Sequence, residues 1–371
     1  MKKEKEMGSK DSIGTREAIA ATIYFLSAKL LISFPQHMAE LGQTAAWIVP
    51  AISFATATLG FLIIVALLRR YPGKNIVEAS EEAGGPIFGI IASLGYFAFF
   101  FATTIFSIRE FSETVSTSLL PRTPLSVIMG VFIIATLVAI SAGLEAITRA
   151  SLVGMPLIIG TLIVLNVLLL PQSNFDTIFP LFGPGIGKLV YNGIIHSGIA
   201  GEIIFLCIIA GQLNESDKVQ RMGIVSLLVS AVFVVVSTLN YSAVFPYPLS
   251  LHISYPGYEA STLIYMGRFF QRVEVAFVFL WVISACIHLA LSGYTSAVIA
   301  KDMLRLPSHK PLLPALAILQ FTLAFVPSDV PQTTHIDFMV VKTYSGLLLF
   351  VVPLILLLAS RIREGRSTGR R

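Results

Sequence analysis

Long apolar runs, separated by short charged or Gly/Pro-bearing segments, recur along the whole chain. A helix needs about 20 apolar residues to cross a ~30 Å hydrocarbon core. The runs predict about ten membrane-spanning helices. They fall near residues 17–37, 44–69, 86–119, 125–143, 148–170, 188–212, 222–245, 273–300, 312–327 and 338–360. Between them, Arg69–Gly85 predicts a turn followed by a short amphipathic helix. Pro171–Gly187, rich in Gly, Pro and Phe, predicts a cap on the bundle, and the tyrosines of Phe245–Arg268 suit a membrane interface.

Lys and Arg are spread unevenly over these segments. With the N-terminus taken as cytoplasmic, one side carries the tail 1–16, Arg69, Arg70, Lys74, Arg149, Lys218 and Arg221. The same side carries Lys301, Arg305, Lys310 and the basic run from Arg361. The other side holds only Arg122, Lys188, Arg268 and Arg272. This bias predicts both termini in the cytoplasm and an even number of spans. The layout is a tail at 1–16, one transmembrane domain at 17–361 and a basic cytoplasmic tail at 362–371.

Composition sharpens the class. Of 371 residues, 55% are hydrophobic and 13% charged, against about 25% charged in a soluble domain. The chain reads as an all-α polytopic membrane protein. Its net charge of +5 is scattered over loops, with no domain-sized basic face for nucleic acid. Cys207 and Cys286 sit inside apolar runs without metal-ligand or disulfide spacing. No phosphate loop, metal constellation or nucleophile-plus-base spacing is present, so neither an enzyme nor a cofactor is expected.

The charges inside the spans carry the functional expectation. Lys29 interrupts IAATIYFLSAKLLISFP in span 1, where a mid-membrane charge costs about 2.5–3.5 kcal/mol or more and needs a partner, a ligand or water. Span 6 holds His196, Ser197, Gly198, Gly201 and Glu202 at mid-depth, and two glycines weaken a helix by about 1 kcal/mol each. A packing groove of small residues explains span 6 equally well. Lys29 and Glu202 are expected to line one site, directly or through water. Arg109 and Glu113, four apart on span 3, suit an ion pair that pins the end of that span or gates it. His288, four residues from Ser284, is a proton-relay candidate or a satisfied bundle histidine. Span 3, at about 51 Å of helix, must tilt strongly or emerge as an amphipathic extension carrying Arg109, Glu110 and Glu113.

Spans 1 and 6 open two five-span halves, about 17–170 and 188–360, each with a polar interruption at mid-depth. That placement points to an inverted-repeat transporter. The expected ligand contacts are Ser27, Ala28, Lys29, Ser197, Gly198, Gly201 and Glu202. Lys29, Glu202 and His288 are the proton or ion coupling candidates.

Several stretches resemble the spore germination permease family, the transporter-like B subunit of nutrient germinant receptors in the amino acid–polyamine–organocation superfamily. They are YPGKNIVEASEEAGG (71–85), IREFSETVSTSLLPRTPLSVI (108–128), GLEAITRAS (143–151), Gly201-Glu202, and VEVAFVFLWVISACIHLALSGYTSA (273–297). The resemblance runs from about Arg16 to Arg361, and the REF-E-LLP-TP element is its most specific piece. It implies a leucine-transporter-like fold, a ligand between broken spans 1 and 6, partner receptor subunits and a spore inner membrane. The family's first span usually has Gly-Thr or Gly-Ser where this chain has Ser27-Ala28-Lys29. That lysine stands in for a coupling cation, attracts a carboxylate-bearing ligand or carries a proton itself. The function implied is nutrient sensing that is signalled to partner subunits; the alternative is proton-coupled transport of an amino acid or organic ion.

Overall fold

The structure, a computed structural model, describes residues 13–31, 33–264 and 273–368. The tail readings for 1–12 and 369–371, and those for Arg268 and Arg272, lie outside the described residues. Among the described residues the regular secondary structure is helical apart from one bridge, between Ile13 and Leu213.

Among the described residues seven helices are long and apolar enough to cross a membrane, and the bent pair Thr15–Leu30 and Phe34–Ala45, whose halves diverge by 67°, makes an eighth when counted as one span. Two shorter apolar helices, Leu125–Ser141 and Lys310–Leu323, bring the spans to ten. In chain order, span 1 is the bent pair, span 2 Ile48–Leu68, span 3 Ile76–Ser118, span 4 Leu125–Ser141 and span 5 Leu144–Gln172. Span 6 is Ile186–Gln212, span 7 Ser216–Val244, span 8 Phe277–Met303, span 9 Lys310–Leu323 and span 10 Val330–Arg361.

Local chemistry sets several boundaries. Span 3 starts in a capping box: Asn75 Oδ1 accepts from Glu78 N at 2.9 Å, and Asn75 N donates to Glu78 Oε2 at 3.1 Å. Its short amphipathic lead then breaks at Gly85, whose φ of 82° suits glycine, and Pro86 starts the membrane-crossing part. Span 10 begins well before the apolar run at 338–360, because Asp329 caps its first turn by accepting from Gln332 N at 2.8 Å. Thr333 and Thr334 on that added stretch are buried. A polar helix face turned inward hides the helix from a hydropathy reading.

Span 6 is the centre of the bundle: 89% of its most apolar stretch is buried, against 22% in span 5. Span 3 packs along span 8, the first half of span 1 between spans 5 and 7, and span 2 against spans 6 and 7. The segment 171–187 caps spans 1 and 7, with Thr44 Oγ1 donating to Pro180 O at 2.8 Å and Asn174 N to Ala243 O at 2.9 Å. The described part of the 245–268 segment forms short helices, Leu249–His252 and Pro256–Thr262, packed on the second half of span 1. It does more than rest in the interface. At the other end, Ile13 N donates to Gln212 O and Asn214 N to Ile13 O, both at 3.1 Å. The start of span 1 is thereby fastened to the end of span 6.

Candidate functional site

Both central spans leave the α-helix at the same depth. Span 1 is α-helical to Ser27, tightens into a 3₁₀ turn at Ala28–Leu31 and resumes at Phe34–Gly42. Span 6 is α-helical over Ile186–Ile195, 3₁₀ over Ser197–Ile203, and α-helical again at Ile204–Ile208. Glycine sets the second break. A Cβ on Gly198 would stand 1.9 Å from Lys342 O and 2.0 Å from Ser345 Oγ, so the break presses directly on span 10.

Lys29 Nζ donates to Ile199 O in the span 6 break and to Glu202 Oε2 at 2.7 Å. Lys342 Nζ of span 10 donates to Glu202 Oε1, also at 2.7 Å, and lies 5.2 Å from the centre of the Phe99 ring. Glu202 is 1% exposed. One buried carboxylate thus uses both oxygens to hold two ammonium groups from different spans, which offsets part of the cost of burying all three.

Beside this triad lies a small open cleft of about 40 Å³. Ser33, His37, Glu110, Asp337 and Phe338 line it together with the two lysines. Glu110 Oε1 accepts from Ser33 N at 3.3 Å and from the Ser33 hydroxyl. His37 stacks on Phe338, centroids 4.8 Å apart, and His196 stacks near the same ring at 5.7 Å. Asp337 and Lys342 bound a π-helical stretch of span 10, a local form often found at functional sites.

Of the expected ligand contacts, Lys29 lines the cleft. Ser27 instead meets Ser230 Oγ at 3.3 Å and faces span 7. Ala28 and Ser197 are buried, while Gly198 and Gly201 abut span 10 and Phe99. Glu202 is enclosed by its two lysines. Arg109 Nη2 lies 2.6 Å from Glu113 Oε1 and also donates to Ser328 O at 3.0 Å, tying span 3 to the segment before span 10. Arg109 and Glu110 are buried, so the long span 3 does not carry them out into water as an amphipathic extension. His288 packs edge-on against Phe25 and Phe111, with Nε2 3.3 Å from Ser107 Oγ. Its site is separate from the cleft lining.

Lys342, Asp337, Glu110 and His37 are the groups that sequence reasoning did not bring to the site. Lys342 had a readable signal, since it is the lone charge within the run 338–360 and therefore needs a partner.

The spore permease family model, described as spore germination protein, matches residues 12–333. Spore germination protein KB of Bacillus subtilis (strain 168) is 22% identical over 293 residues, 78% of each chain. The putative spore germination protein YfkT of the same organism is 25% identical over 262 residues, 70% of this chain and 71% of its own. Among solved structures, MHP1, a nucleobase-cation-symport-1 family transporter, superposes with a TM-score of 0.63 at 14% identity, over 92% of this chain and 75% of its own. MhsT, in complex with L-phenylalanine, gives 0.58 at 15% identity, over 93% of this chain and 98% of its own. The fold is that of the leucine-transporter-like carriers, with first and sixth spans broken.

Proposed function

The chain belongs to the spore permease family of spore germination proteins, and from that premise we propose that it is a permease-like membrane subunit that binds a small nutrient beside broken spans 1 and 6. The nutrient is an amino acid or a related organic ion, and its binding is signalled to partner subunits in the spore inner membrane. We read the ten spans as two inverted halves, about 17–170 and 188–360, with both termini cytoplasmic. The observation that carries the reading is the meeting of Lys29 and Glu202, at 2.7 Å, where both spans leave the α-helix. Transporter-fold relatives with small organic ligands, L-phenylalanine in MhsT among them, support a ligand of that size. A ligand seated in the cleft touches spans 1, 3 and 10 together, so it shifts the bundle only as far as it prefers one arrangement of those spans. The second reading, a proton-coupled carrier, is favoured by the clustering of Lys29, Glu202, Glu110, Asp337 and Lys342.

The test is ligand-dependent thermal stabilisation of the purified protein across amino acids, amines and carboxylates, with Lys29→Met as the site variant. Uptake in proteoliposomes runs in parallel. Stabilisation weakened by Lys29→Met without uptake supports the receptor reading, and concentrative uptake supports the carrier. A ligand whose effect survives Lys29→Met unchanged removes this site from consideration.

A further inference from the structure

The two sides of the cleft differ in what they leave unsatisfied. On the cationic side Lys29 and Lys342 each hold one oxygen of Glu202 at 2.7 Å, and Lys29 also donates to Ile199 O. The acceptor side is incomplete. Glu110, 8% exposed, receives only the two Ser33 donors, both on Oε1, and its Oε2 has no hydrogen-bond partner among the described residues. Asp337 Oδ1 is buried without a partner. His37, 4% exposed, has Nδ1 3.2 Å from the Glu40 carboxylate and a buried, partnerless Nε2. A carboxylate only accepts, so the proton in this contact sits on His37 Nδ1, and in that tautomer Nε2 offers a lone pair.

Three acceptor atoms, His37 Nε2, Glu110 Oε2 and Asp337 Oδ1, on residues of spans 1, 3 and 10 that line one cleft, have no hydrogen-bond partner among the described residues. Glu110 and Asp337 of the lining have no ion-pair partner among the described residues, while Glu202 has two. Buried polar groups left without partners are costly. A primary ammonium brings one positive charge and three N–H donors. Water answers the hydrogen bonds without bringing charge, a quaternary cation brings charge without N–H donors, and among the described residues no group of three or more His, Cys, Asp or Glu side chains is placed to hold a metal ion. Resting on the function proposed above, we propose that Glu110, Asp337 and His37 form an ammonium subsite, and that the ligand is an amine or amino acid recognised first by its protonated nitrogen.

The backbone of span 10 is shaped for this arrangement. In an α-helix residues five apart lie about 140° apart round the axis. The i→i+5 pattern of the π stretch stacks Asp337 one turn from Lys342. One residue then faces the cleft while the other reaches Glu202. Phe34 and Phe338, also in the lining, offer apolar surface for the carbon part of the ligand.

The experiment uses the full chain in lipid nanodiscs at neutral pH. Thermal stabilisation is read for three series: alanine, ethylamine and propionate; valine, isobutylamine and isovalerate; phenylalanine, phenethylamine and 3-phenylpropionate. Sodium and tetramethylammonium chloride are the cations without N–H donors. The expected result is stabilisation by at least one amine and its parent amino acid, by no acid, and at least tenfold weaker apparent affinity in Glu110→Gln and Asp337→Asn. An acid matching its amine overturns the subsite while leaving a ligand site beside Lys29 in place. Equal stabilisation by tetramethylammonium or sodium overturns the three-donor match, and the absence of any amine effect overturns the inference outright. The wider reading fails separately, when wild type and Lys29→Met respond alike to a compound that does bind. Should neither carboxylate variant fold, the wild-type contrast between amines and tetramethylammonium decides alone.

Discussion

Lys342 Nζ lies 2.7 Å from Glu202 Oε1, while Lys29 holds the other oxygen of the same carboxylate at the same distance. Three spans are thereby joined at one buried group, and the three charges are not equivalent. Removing Glu202 strands two ammonium groups, whereas removing either lysine leaves a matched pair.

Breaking a buried pair costs about 3–5 kcal/mol. Glu202→Met is therefore expected to lower the melting temperature more than Lys342→Met or Lys29→Met, with Lys29→Met the mildest because its side chain is the most exposed of the three. The triple methionine variant should recover most of the loss, since apolar replacement of a buried charge cluster is often neutral or stabilising. Thermal unfolding in one detergent measures all four variants. A triple variant no more stable than Glu202→Met would mean that packing, rather than charge pairing, sets the penalty.

Gly198→Ala tests the break in span 6. The added methyl would meet Lys342 O at 1.9 Å and Ser345 Oγ at 2.0 Å, and the first of these is backbone that cannot turn aside. The cost is expected at the upper end of, or above, the usual 1–3 kcal/mol of overpacking, with spans 6 and 10 forced apart. Gly160→Ala on span 5 meets open space and serves as the control. Equal melting temperatures for the two alanine variants would remove the close approach as a structural requirement.

These two tests mark what the sequence could and could not disclose. The ten spans were legible because each is an apolar run long enough to notice, and Lys29 and Glu202 because a charge among apolar neighbours demands a partner. The partners themselves were harder. Asp337 lies just outside the run 338–360, and the π stretch puts it and Lys342 in a relation that an α-helical period hides. The first turns of span 10, Val330–Ile336, carry threonines turned inward, so they lack the apolar signature of a span. Glu110 read as part of a charged helix end because its donors, the amide and hydroxyl of Ser33, come from a segment 77 residues earlier. Long-range placement of polar groups is set by how the spans pack, and periodicity carries no record of it.

Arg109 makes a different kind of tie. Besides Glu113 at 2.6 Å it donates to Ala324 O at 3.3 Å and Ser328 O at 3.0 Å, so its planar fork joins span 3 to the link between spans 9 and 10. Arg109→Lys keeps the charge and loses the fork. It is expected to cost more than Glu113→Gln, because the carbonyl contacts hold the link regardless of the carboxylate. Melting temperatures of the two variants and the double variant, read as a double-mutant cycle, check this. A coupling energy equal to the whole cost of Arg109→Lys would reduce the tie to the ion pair alone.

The junction of the two broken spans on the terminal side titrates in the acid range. Glu215 accepts from Lys218 and from Thr15, whose helix begins span 1, and these contacts hold its carboxylate below the usual range; the Lys218 hydrogen bond contributes most. A depressed carboxylate stabilises the folded state above its unfolded value of about 4.3 and loses that contribution as the pH falls through the lower folded value. The adjoining bridge, Ile13 N to Gln212 O and Asn214 N to Ile13 O, should therefore loosen below about pH 4 and stay intact at neutral pH. Hydrogen exchange at the Ile13 and Asn214 amides, corrected for intrinsic rates, reads this directly. Glu215→Gln should show faster exchange already at pH 7 and a flatter pH response. Protection that is unchanged between pH 6 and pH 3.5 in the wild type would show that the bridge holds without the carboxylate.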